Sequence, residues 1–504
     1  MNVGNPGSLY EIISAAATDG KLPAGFSLPK EQAAQSELRF ADGAADGIAM
    51  YHMQSPNPNK ETAAKVGEAI LAASDGLTDK ADELFLALGK ESRALSLIEI
   101  LQSWIIEHRQ TLSAPNLWNY ALHAMRDSGD KECVKFGLSI LGVFRTDHNP
   151  SVRSVVKTLG LSDEFTLFAV FIMSTWRDRN DEIWDLARKV HGWGRIHAAE
   201  RLEPATDAIR SWFLTDGVRN DVNHAYSALT CWRKGNAEET LKGSVTPDEF
   251  TGIGVILAAM LDDGPAEGIT ALKNADESIL DYLRAAQRMP LTAEDYENIQ
   301  KLRDCLQDDR EPESEIIVRC RELLTSDACR SAVSEAVKTG RCIELAIELG
   351  IDCRAQILDI LKSDLQSKHW LSRYLMDDPD YRHAVLTLYR QKLPLDELKK
   401  APGASPGPGT GNLTQWIFEC LLWQLTEFPL EGQDFIETGL HCDPVRTRNI
   451  SLQVLEAWVS KTGNPLQNLL PEFHRLLSSL RDAEPDDRVR ERMDRLLSGQ
   501  TASK

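Results

Sequence analysis

Apolar residues recur at helical spacing along nearly the whole chain, and this pattern constrains the fold more than any other feature of the sequence. Val66, Ala69, Ile70 and Ala73 follow the i, i+3, i+4, i+7 pattern of a helix that buries one face. The same spacing recurs in residues 81–88. No strand pattern, in which apolar and polar residues alternate, separates these helical stretches. The sequence therefore predicts an all-α protein.

Signals for helix ends divide the chain into short helices. Thr246 and Glu249 have the spacing of a capping box, with Pro247 at the first helical position. Gly89 and Gly340 follow periodic stretches, where a left-handed C-cap favours glycine. The predicted helices are about 10–16 residues long and the breaks are short, so neighbouring helices should form antiparallel hairpins. Roughly twenty such helices in succession favour an α-solenoid of antiparallel helix pairs over one globular bundle.

Three stretches share a local theme. Residues 149–160, 443–458 and 486–497 each begin with Asp or Asn near a Val-Arg pair and continue as an amphipathic helix. These residues resemble the HEAT repeat family, in which an acidic or amide residue caps the second helix of each repeat. The resemblance implies that Asp443 is such a cap and that Arg446, just inside the helix, ties neighbouring repeats together.

The stretch VHGWGRIHAAERLEP, residues 190–204, fits the same scheme. Trp193 is expected to pack across a helix hairpin, and Arg195 to take the place of the Val-Arg arginine. Arg195 should then bond to carbonyls or to a carboxylate of an adjacent turn. Gly192 and Gly194 would give the backbone the freedom to reverse direction. Trp193 and Arg195 are therefore predicted to be structural residues.

Composition divides the chain further. The N-terminal segment is rich in Gly, Pro, Ala and Asp, and it predicts one short helix near residues 9–17 followed by extended chain. The stretch APGASPGPGTG cannot form a helix or a central strand. The predicted segments are an irregular N-terminal segment packed on the solenoid, the HEAT-like solenoid, a Pro/Gly-rich linker or loop, C-terminal HEAT-like helices and a tail, at residues 1–60, 61–400, 401–411, 412–499 and 500–504. The longest apolar runs, residues 165–173 and 416–425, predict buried helices.

One candidate binding site lies in ADGAADGIAMYHM, which contains Asp42, Asp46 and His52. Two Asp and two Gly in close succession suit a turn that orients carboxylates towards a cation or a basic peptide. The alternative is an Asx turn in a surface loop, because Asp side chains often bond to their own backbone in turns.

A second candidate site contains His191, His197 and Glu200. The two histidines are six residues apart and cannot share a helix face as i, i+4 metal ligands do. His197 and Glu200 are three apart and can share one, either as a surface hydrogen-bonded pair or as part of an enzyme site. We predict no metal site and no catalytic residue from this pattern.

Two further sequence patterns are related to those of redox enzymes. His441 and Asp443 match part of a non-haem iron triad, with His474 as a third ligand, but the HEAT-like turn already accounts for Asp443. Residues 22–52 and 190–226 together resemble a set of bacterial proteins, some of which are labelled limonene hydroxylase. The chain has neither the Phe/Gly-flanked cysteine of a haem-thiolate enzyme nor an early G-x-G-x-x-G. The motifs do not support that label, and no cofactor is predicted.

The overall charge limits which classes of binding partner are expected. The net charge is −20, and an acidic surface repels phosphate backbones and anionic lipid, which predicts no nucleic acid and no membrane partner. A partner with a basic face is expected instead. Nine cysteines without a C-x-x-C pair indicate reduced thiols and a cytoplasmic location.

Three hypotheses about function follow. The sequence favours a non-catalytic cytoplasmic scaffold that binds a protein or a peptide. The alternative is an enzyme of unknown reaction with its site in the solenoid groove, using His191, His197 and Glu200. A solenoid that binds nucleic acid is the third hypothesis, and the net charge argues against it.

Overall fold

The structure is a computed structural model, and it describes residues 7–29, 40–53, 60–262, 264, 266–403, 405 and 413–499. These residues form thirty α-helices and no β-strand. A single isolated β-bridge joins Thr18 and Lys21. The prediction of an all-α protein is confirmed. Among the same residues, none of the helices has the length and apolar character needed to span a membrane.

The chain divides into two compact units, residues 1–326 and residues 327–504. The Pro/Gly-rich stretch, residues 401–411, falls within the second unit, and only residues 401–403 and 405 of it are described.

The helices of the first unit are α1 (Leu9–Ala16), α2 (Ala44–His52), α3 (Lys60–Ser74), α4 (Thr78–Glu91), α5 (Ala94–Glu107), α6 (Ala114–Asp127), α7 (Lys131–Leu141), α8 (Pro150–Leu159), α9 (Asp163–Met173), α10 (Arg179–Ala187), α11 (Trp193–Arg201), α12 (Asp207–Trp212), α13 (Ala225–Gly235), α14 (Ala237–Lys242), α15 (Pro247–Met260), α16 (Ala275–Ala286), α17 (Ala293–Leu306) and α18 (Glu315–Leu324).

The helices of the second unit are α19 (Asp327–Ala336), α20 (Ile343–Glu348), α21 (Arg354–Ser363), α22 (Leu365–Lys368), α23 (Pro379–Lys392), α24 (Leu395–Leu398), α25 (Leu413–Leu425), α26 (Gln433–Leu440), α27 (Val445–Thr462), α28 (Leu466–Leu469), α29 (Pro471–Arg481) and α30 (Asp487–Ser498).

Second neighbours along the chain pack together through most of the first unit. The odd-numbered helices from α3 to α17 form an unbroken series in which each helix contacts the next. Even-numbered helices join this series through their sequence neighbours, as α6 does with α7. Large apolar side chains such as Phe85, Phe136 and Phe165 are fully buried in it. Each helix therefore buries its apolar stripe against helices that are near in sequence.

In the second unit, the C-terminal helices pack around α27. Helix α27 contacts α25, α26 and α30, and α29 contacts α30. Trp458 of α27 is fully buried, and its indole N–H donates to the Leu425 carbonyl at 2.7 Å.

The predicted helix ends can be compared with the observed ones. The capping box of Thr246 and Glu249 is present, and Gly340 has a left-handed φ of 78°. The predicted break at Gly89 is wrong, because Gly89 lies inside α4. A Cβ on Gly89 would lie 2.7 Å from the Cβ of Glu132, so glycine serves there to let α7 approach closely.

The N-terminal segment also departs from the prediction. Helix α1 lies where a short helix was expected, but residues 44–52 form a second helix, α2, where extended chain and a surface turn were expected. Gly43 precedes it with a φ of 75°, and Asp46 and Gly47 of α2 are buried. Tertiary burial stabilises this helix, and its nine residues, with a glycine in the middle, carry no strong helical signal of their own.

Candidate functional site

Helix α2 is attached to the first unit by a buried cluster of charges. Lys135 of α7 is fully buried, and its ammonium lies 2.7 Å from Asp46, 2.9 Å from Glu132 and 2.5 Å from Glu164. Burial alone would lower the pKa of Lys135, but the three carboxylates raise it above its ordinary value. Asp46 is only 3% exposed. Its carboxylate is thus part of an internal ion cluster, and the surface-loop interpretation of Asp46 is wrong.

Asp42 is also bonded to groups within the chain. Its carboxylate accepts a hydrogen bond from the Leu28 backbone N–H at 2.8 Å and one from Lys131 at 2.9 Å. Lys131 is also 3.6 Å from Glu164, so the two clusters share a carboxylate. Both aspartates of the predicted cation site therefore have partners within the chain.

Trp193 lies under α2. It is 4% exposed, and a Cβ on Gly47 would lie 2.2 Å from the indole atom Cε3. The indole centroid is 4.9 Å from the ring centroid of Tyr226 and 6.0 Å from that of Tyr51. The tryptophan thus fills the space between α11, α13 and α2.

Arg195 bonds to backbone carbonyls. Its guanidinium donates to the carbonyl of Val190 at 2.9 Å, of Asp216 at 3.2 Å and of Arg219 at 2.7 Å. It also donates to His191 Nδ1 at 3.3 Å. These acceptors lie before α11 and in the turn that follows α12, so Arg195 joins two turns of the first unit.

The two glycines of this corner have a different role from the predicted one. Neither has a left-handed φ, so backbone reversal does not explain them. A Cβ on Gly192 would lie 2.1 Å from Asp163 Oδ2, and one on Gly194 would lie 2.5 Å from Thr166 Oγ1. The glycines allow α11 to approach α9 closely. Asp163 accepts the Gly194 N–H at 3.0 Å, yet burial raises the pKa of Asp163 to about 6.

The two predicted site histidines of this corner do not converge. His197 is 2% exposed, its Nδ1 has no hydrogen-bond partner among the described residues, and burial lowers its pKa to about 4. His191 is exposed, and burial of its ring and the nearby charge of Arg195 lower its pKa. Within the part of the chain that the structure describes, no group of three or more His, Cys, Asp and Glu side chains could hold a metal ion.

Glu200 and His52 each form a hydrogen bond with a tyrosine that lines one pocket. The Tyr51 hydroxyl donates to the Glu200 carboxylate, and a hydrogen bond of 2.7 Å joins His52 Nε2 to the Tyr226 hydroxyl. Burial raises the pKa of Glu200, against the opposing effect of the hydrogen bond from Tyr51. Helix α2, which belongs to the first segment of the sequence resemblance, is thereby in direct contact with Glu200 and Tyr226 of the second.

The pocket beside Tyr51 and Tyr226 has a volume of about 420 Å³. Glu200, Arg233 and Lys234 also line it. Lys234 donates to the carbonyls of Glu200 and Leu202 at 2.8 Å, which satisfies the end of α11. Its ammonium therefore has a structural use, and Arg233 is the exposed cation of the pocket.

The predicted cap role of Asp443 in the C-terminal repeats is wrong, whereas Arg446 of α27 contacts a neighbouring helix, α25, through Glu419. Pro444, not Asp443, is the N-cap residue of α27, and no side chain caps that helix. Arg448, which the sequence analysis passed over, is the fully buried residue that ties the turns together. It donates to Glu484 at 2.8 and 2.7 Å and to the carbonyl of Cys442 at 2.9 Å.

The signal that would have found Arg448 is its distance from the N-cap residue. In several of the described helices, an arginine four residues after the N-cap donates to the carbonyl two residues before it. The pairs are Arg153 to Asp147, Arg210 to Pro204, Arg382 to Met376, Arg448 to Cys442 and Arg490 to Glu484.

Arg446 also takes part in an exposed aromatic surface on α25. Trp416 and Trp423 lie seven residues apart on one face of α25 and, among the described residues, are 39% and 44% exposed. The Arg446 guanidinium lies 5.1 Å from the Trp416 ring centroid and 5.6 Å from that of Trp423. Leu413 of the same helix is 48% exposed. We call this surface, formed by Leu413, Trp416, Cys420, Trp423 and Arg446, the α25 face; the predicted burial of residues 416–425 holds only for the other sides of the helix.

Glu419 holds the guanidinium of Arg446 in position, but not all of its N–H groups donate hydrogen bonds. Its Nε lies 3.0 Å from Glu419 Oε2, and Glu419 is 1% exposed. Glu419 also accepts a hydrogen bond of 2.6 Å from the Thr447 hydroxyl. Within the described residues, neither terminal nitrogen of Arg446 donates a hydrogen bond.

Comparisons with known proteins give no family for the chain. No protein-family model matches it, and no curated protein matches it. Among solved structures, it matches the crystal structure of an engineered protein from a structural genomics consortium at 13% sequence identity. That match covers 87% of this chain and 100% of the other, with a TM-score of 0.25, which carries no argument about fold or function. The HEAT resemblance therefore stays a prediction.

Proposed function

We propose that the protein is a helical-repeat scaffold, of HEAT-like solenoid type, that binds a protein or peptide partner through the α25 face. The single observation that carries the binding proposal is the pair of exposed tryptophans with Arg446 over both rings. Tryptophan and arginine are the residue types that most often dominate the energy of protein interfaces. Location in the cytoplasm and the exclusion of nucleic acid and membrane partners stay predictions from composition.

Two features of the helices support the repeat architecture. The series from α3 to α17 packs by second neighbours, which is the contact pattern of stacked helix pairs. The recurring arginine, four residues after the N-cap, gives helices in both units the same bond to the preceding turn. Stacked helix pairs leave long helix faces open, and such faces are the usual binding surfaces of helical-repeat proteins.

The exposure of Trp416 and Trp423 is unusual within this chain. Of its eleven tryptophans, three are more than a third exposed, and the third is Trp370. Two large aromatic rings side by side on a surface cost solvation free energy in the free protein, because apolar area stays in water. A bound partner would recover that free energy, so a contiguous patch of this kind indicates an interaction site.

Partner capture from a native lysate tests this function. The full chain is immobilised as wild type, as the Trp416→Ala/Trp423→Ala double variant and as Trp370→Ala, and retained proteins are quantified by mass spectrometry. We expect a stoichiometric partner that wild type and Trp370→Ala retain and the double variant loses. Melting temperatures of the three chains control for folding.

Two results would reject the proposal. One is the absence of any stoichiometric partner at both low and moderate salt. The other is a partner that the folded double variant retains as well as wild type does, because binding would then use another surface.

The pocket beside Tyr51 and Tyr226 supports a second candidate, an enzyme of unknown reaction. The observation in its favour is that Glu200, with a raised pKa, shares a pocket of about 420 Å³ with Tyr51 and Arg233. A thermal-shift screen of small metabolites against wild type and Glu200→Gln tests it. A site of this kind predicts a compound that stabilises wild type and has less effect on the variant; a screen without such a compound removes this candidate.

A further inference from the structure

We infer that the partner of the α25 face presents a carboxylate next to an apolar side chain, so that the acid pairs with Arg446 while the apolar group covers Trp416 or Trp423. This inference rests on the proposed function, since it assigns the chemistry of the partner at that same surface. The occupant it commits to is an acidic peptide segment of another protein.

The guanidinium of Arg446 is held in one orientation but keeps hydrogen-bond donors for a partner. Its guanidinium is held over two indole rings and by the contact of Nε with Glu419, so its orientation is set before binding. Its two terminal nitrogens donate no hydrogen bond within the described residues. A planar guanidinium whose two terminal nitrogens form one free N–H edge matches a carboxylate better than any other group in proteins.

Three acids on α25 and α27, or next to them, are buried or paired with other cations. Glu419 is 1% exposed and lies 3.0 Å from Nε, and the terminal nitrogens of Arg446 donate no hydrogen bond to it. Glu427, just after α25, pairs with Lys461 at 2.5 Å. Glu456 of α27 pairs with Arg492 at 2.5 Å. Within the described residues, no carboxylate accepts a hydrogen bond from the terminal nitrogens of Arg446, so these nitrogens are available to the carboxylate of a partner.

Apolar side chains lie next to the guanidinium of Arg446 on the α25 face. Trp416 and Trp423 have ring centroids 6.5 Å apart at 75°, and Leu413 is exposed on the same helix. Apolar side chains of a partner that cover these rings would exclude water from the bond to Arg446, and an ionic bond gains strength when water is removed.

This chemistry is opposite to the one that net charge predicts. An overall charge of −20 predicts a partner with a basic face, because the average surface is acidic. The centre of the α25 face is a cation between two aromatic rings. Short-range complementarity at the contact sets partner choice more strongly than the average charge, which is screened beyond about 8–10 Å in physiological salt.

Selection from a random library of 12-residue peptides displayed on phage tests the inference on the full chain. The library is first depleted on the Trp416→Ala/Trp423→Ala variant and then selected on wild type. We expect the enriched peptides to carry Asp or Glu next to Leu, Ile, Phe, Tyr or Trp. Replacing that acid by its amide in a synthetic peptide should weaken binding by about tenfold or more, as a lost charge-assisted hydrogen bond does.

Matched variants separate the charge of Arg446 from its role in folding. Arg446→Gln leaves the buried Glu419 without its cation, so the double variant Arg446→Gln/Glu419→Gln keeps the interior neutral. This double variant should lose the preference for the acid over the amide peptide. Glu419→Gln alone should keep it, because Arg446 remains.

The outcomes distinguish the two proposals. Enriched peptides that need the tryptophans but contain no acid, or that bind the Arg446→Gln/Glu419→Gln variant as tightly as wild type, overturn the inference and leave the proposed function standing. Failure to enrich any peptide that distinguishes wild type from the tryptophan double variant counts against the α25 face itself, and the inference falls with it.

Discussion

Trp193 with Arg195, and Trp416 and Trp423 with Arg446, are the same residue types in opposite surroundings. Trp193 is 4% exposed beneath α2, whereas Trp416 and Trp423 are 39% and 44% exposed. Arg195 donates to three backbone carbonyls, whereas Arg446 donates no hydrogen bond within the described residues. Whether such a pair stabilises the fold or is available to a partner depends on whether the chain itself supplies the contacts.

The contacts that make the difference come from a distant segment. Helix α2 brings Gly47 against the Trp193 indole and Tyr51 to Glu200. The described residues of the second unit supply no comparable segment over Trp416 and Trp423. The comparison therefore predicts large stability effects at the corner and small ones at the α25 face.

The largest effect is expected for Trp193→Ala. Truncating a buried tryptophan costs about 3–5 kcal/mol in unfolding free energy, since contacts are lost and a cavity remains. The melting temperature should fall by several degrees or more relative to wild type. Thermal melts beside Trp416→Ala as the exposed control decide this, and an unchanged melting temperature for Trp193→Ala would remove the basis of the comparison.

His197, next to Trp193, predicts a pH-dependent effect of similar size. Its pKa in the folded protein is about 4, below the ordinary value near 6.5, because burial disfavours the charged ring. A depressed histidine pKa contributes stability above pH 6.5 that is lost as the pH falls towards 4, amounting to about 3 kcal/mol.

The His197→Leu variant isolates this contribution. The difference in unfolding free energy between wild type and variant should shift by about 3 kcal/mol in favour of the variant between pH 7 and pH 4. Denaturant unfolding at both pH values measures it, and other titrating groups such as Asp163 cancel in the difference. A difference that does not change with pH would show that His197 titrates normally.

Gly47→Ala should have an intermediate effect. The added methyl group would overlap the Trp193 indole, and overpacking of a filled interior costs about 1–3 kcal/mol. Gly129→Ala is the matched control, since no atom lies within 4 Å of its Cβ position and its φ is not left-handed. Equal melting temperatures for the two variants would mean that α2 does not press on Trp193.

The smallest stability effects are expected at the α25 face. Trp416→Ala and Trp423→Ala should each lower the unfolding free energy by about 1–2 kcal/mol, less than Trp193→Ala, because 39% and 44% of their surface stays in water in the folded protein. Partner binding should nevertheless be lost in the double variant. A large loss of stability would instead give these tryptophans the structural role that Trp193 has.

Local patterns predicted the helices and several of their ends. Thr246 and Gly340 were found because caps are satisfied within a few residues of the chain. Helix α2 was missed because its stability comes from Lys135 and Trp193, which are far away in sequence. Arg448 was missed because the Val-Arg theme directed attention to Arg446, and only the observed N-cap at Pro444 shows that Arg448 is the arginine four residues after a cap.

The sequence by itself determined the all-α class, the unusual corner at Trp193 and the absence of the tested redox motifs, since periodicity, caps and motif spacing are local properties of the chain. Only the tertiary structure decided which charged and aromatic groups already have partners within the chain. Asp42 and Asp46 face lysines of α7, while the two terminal nitrogens of the partly exposed Arg446 donate no hydrogen bond within the described residues. The physical reason is that desolvation and hydrogen-bond saturation depend on groups brought together from distant segments, which no local pattern encodes.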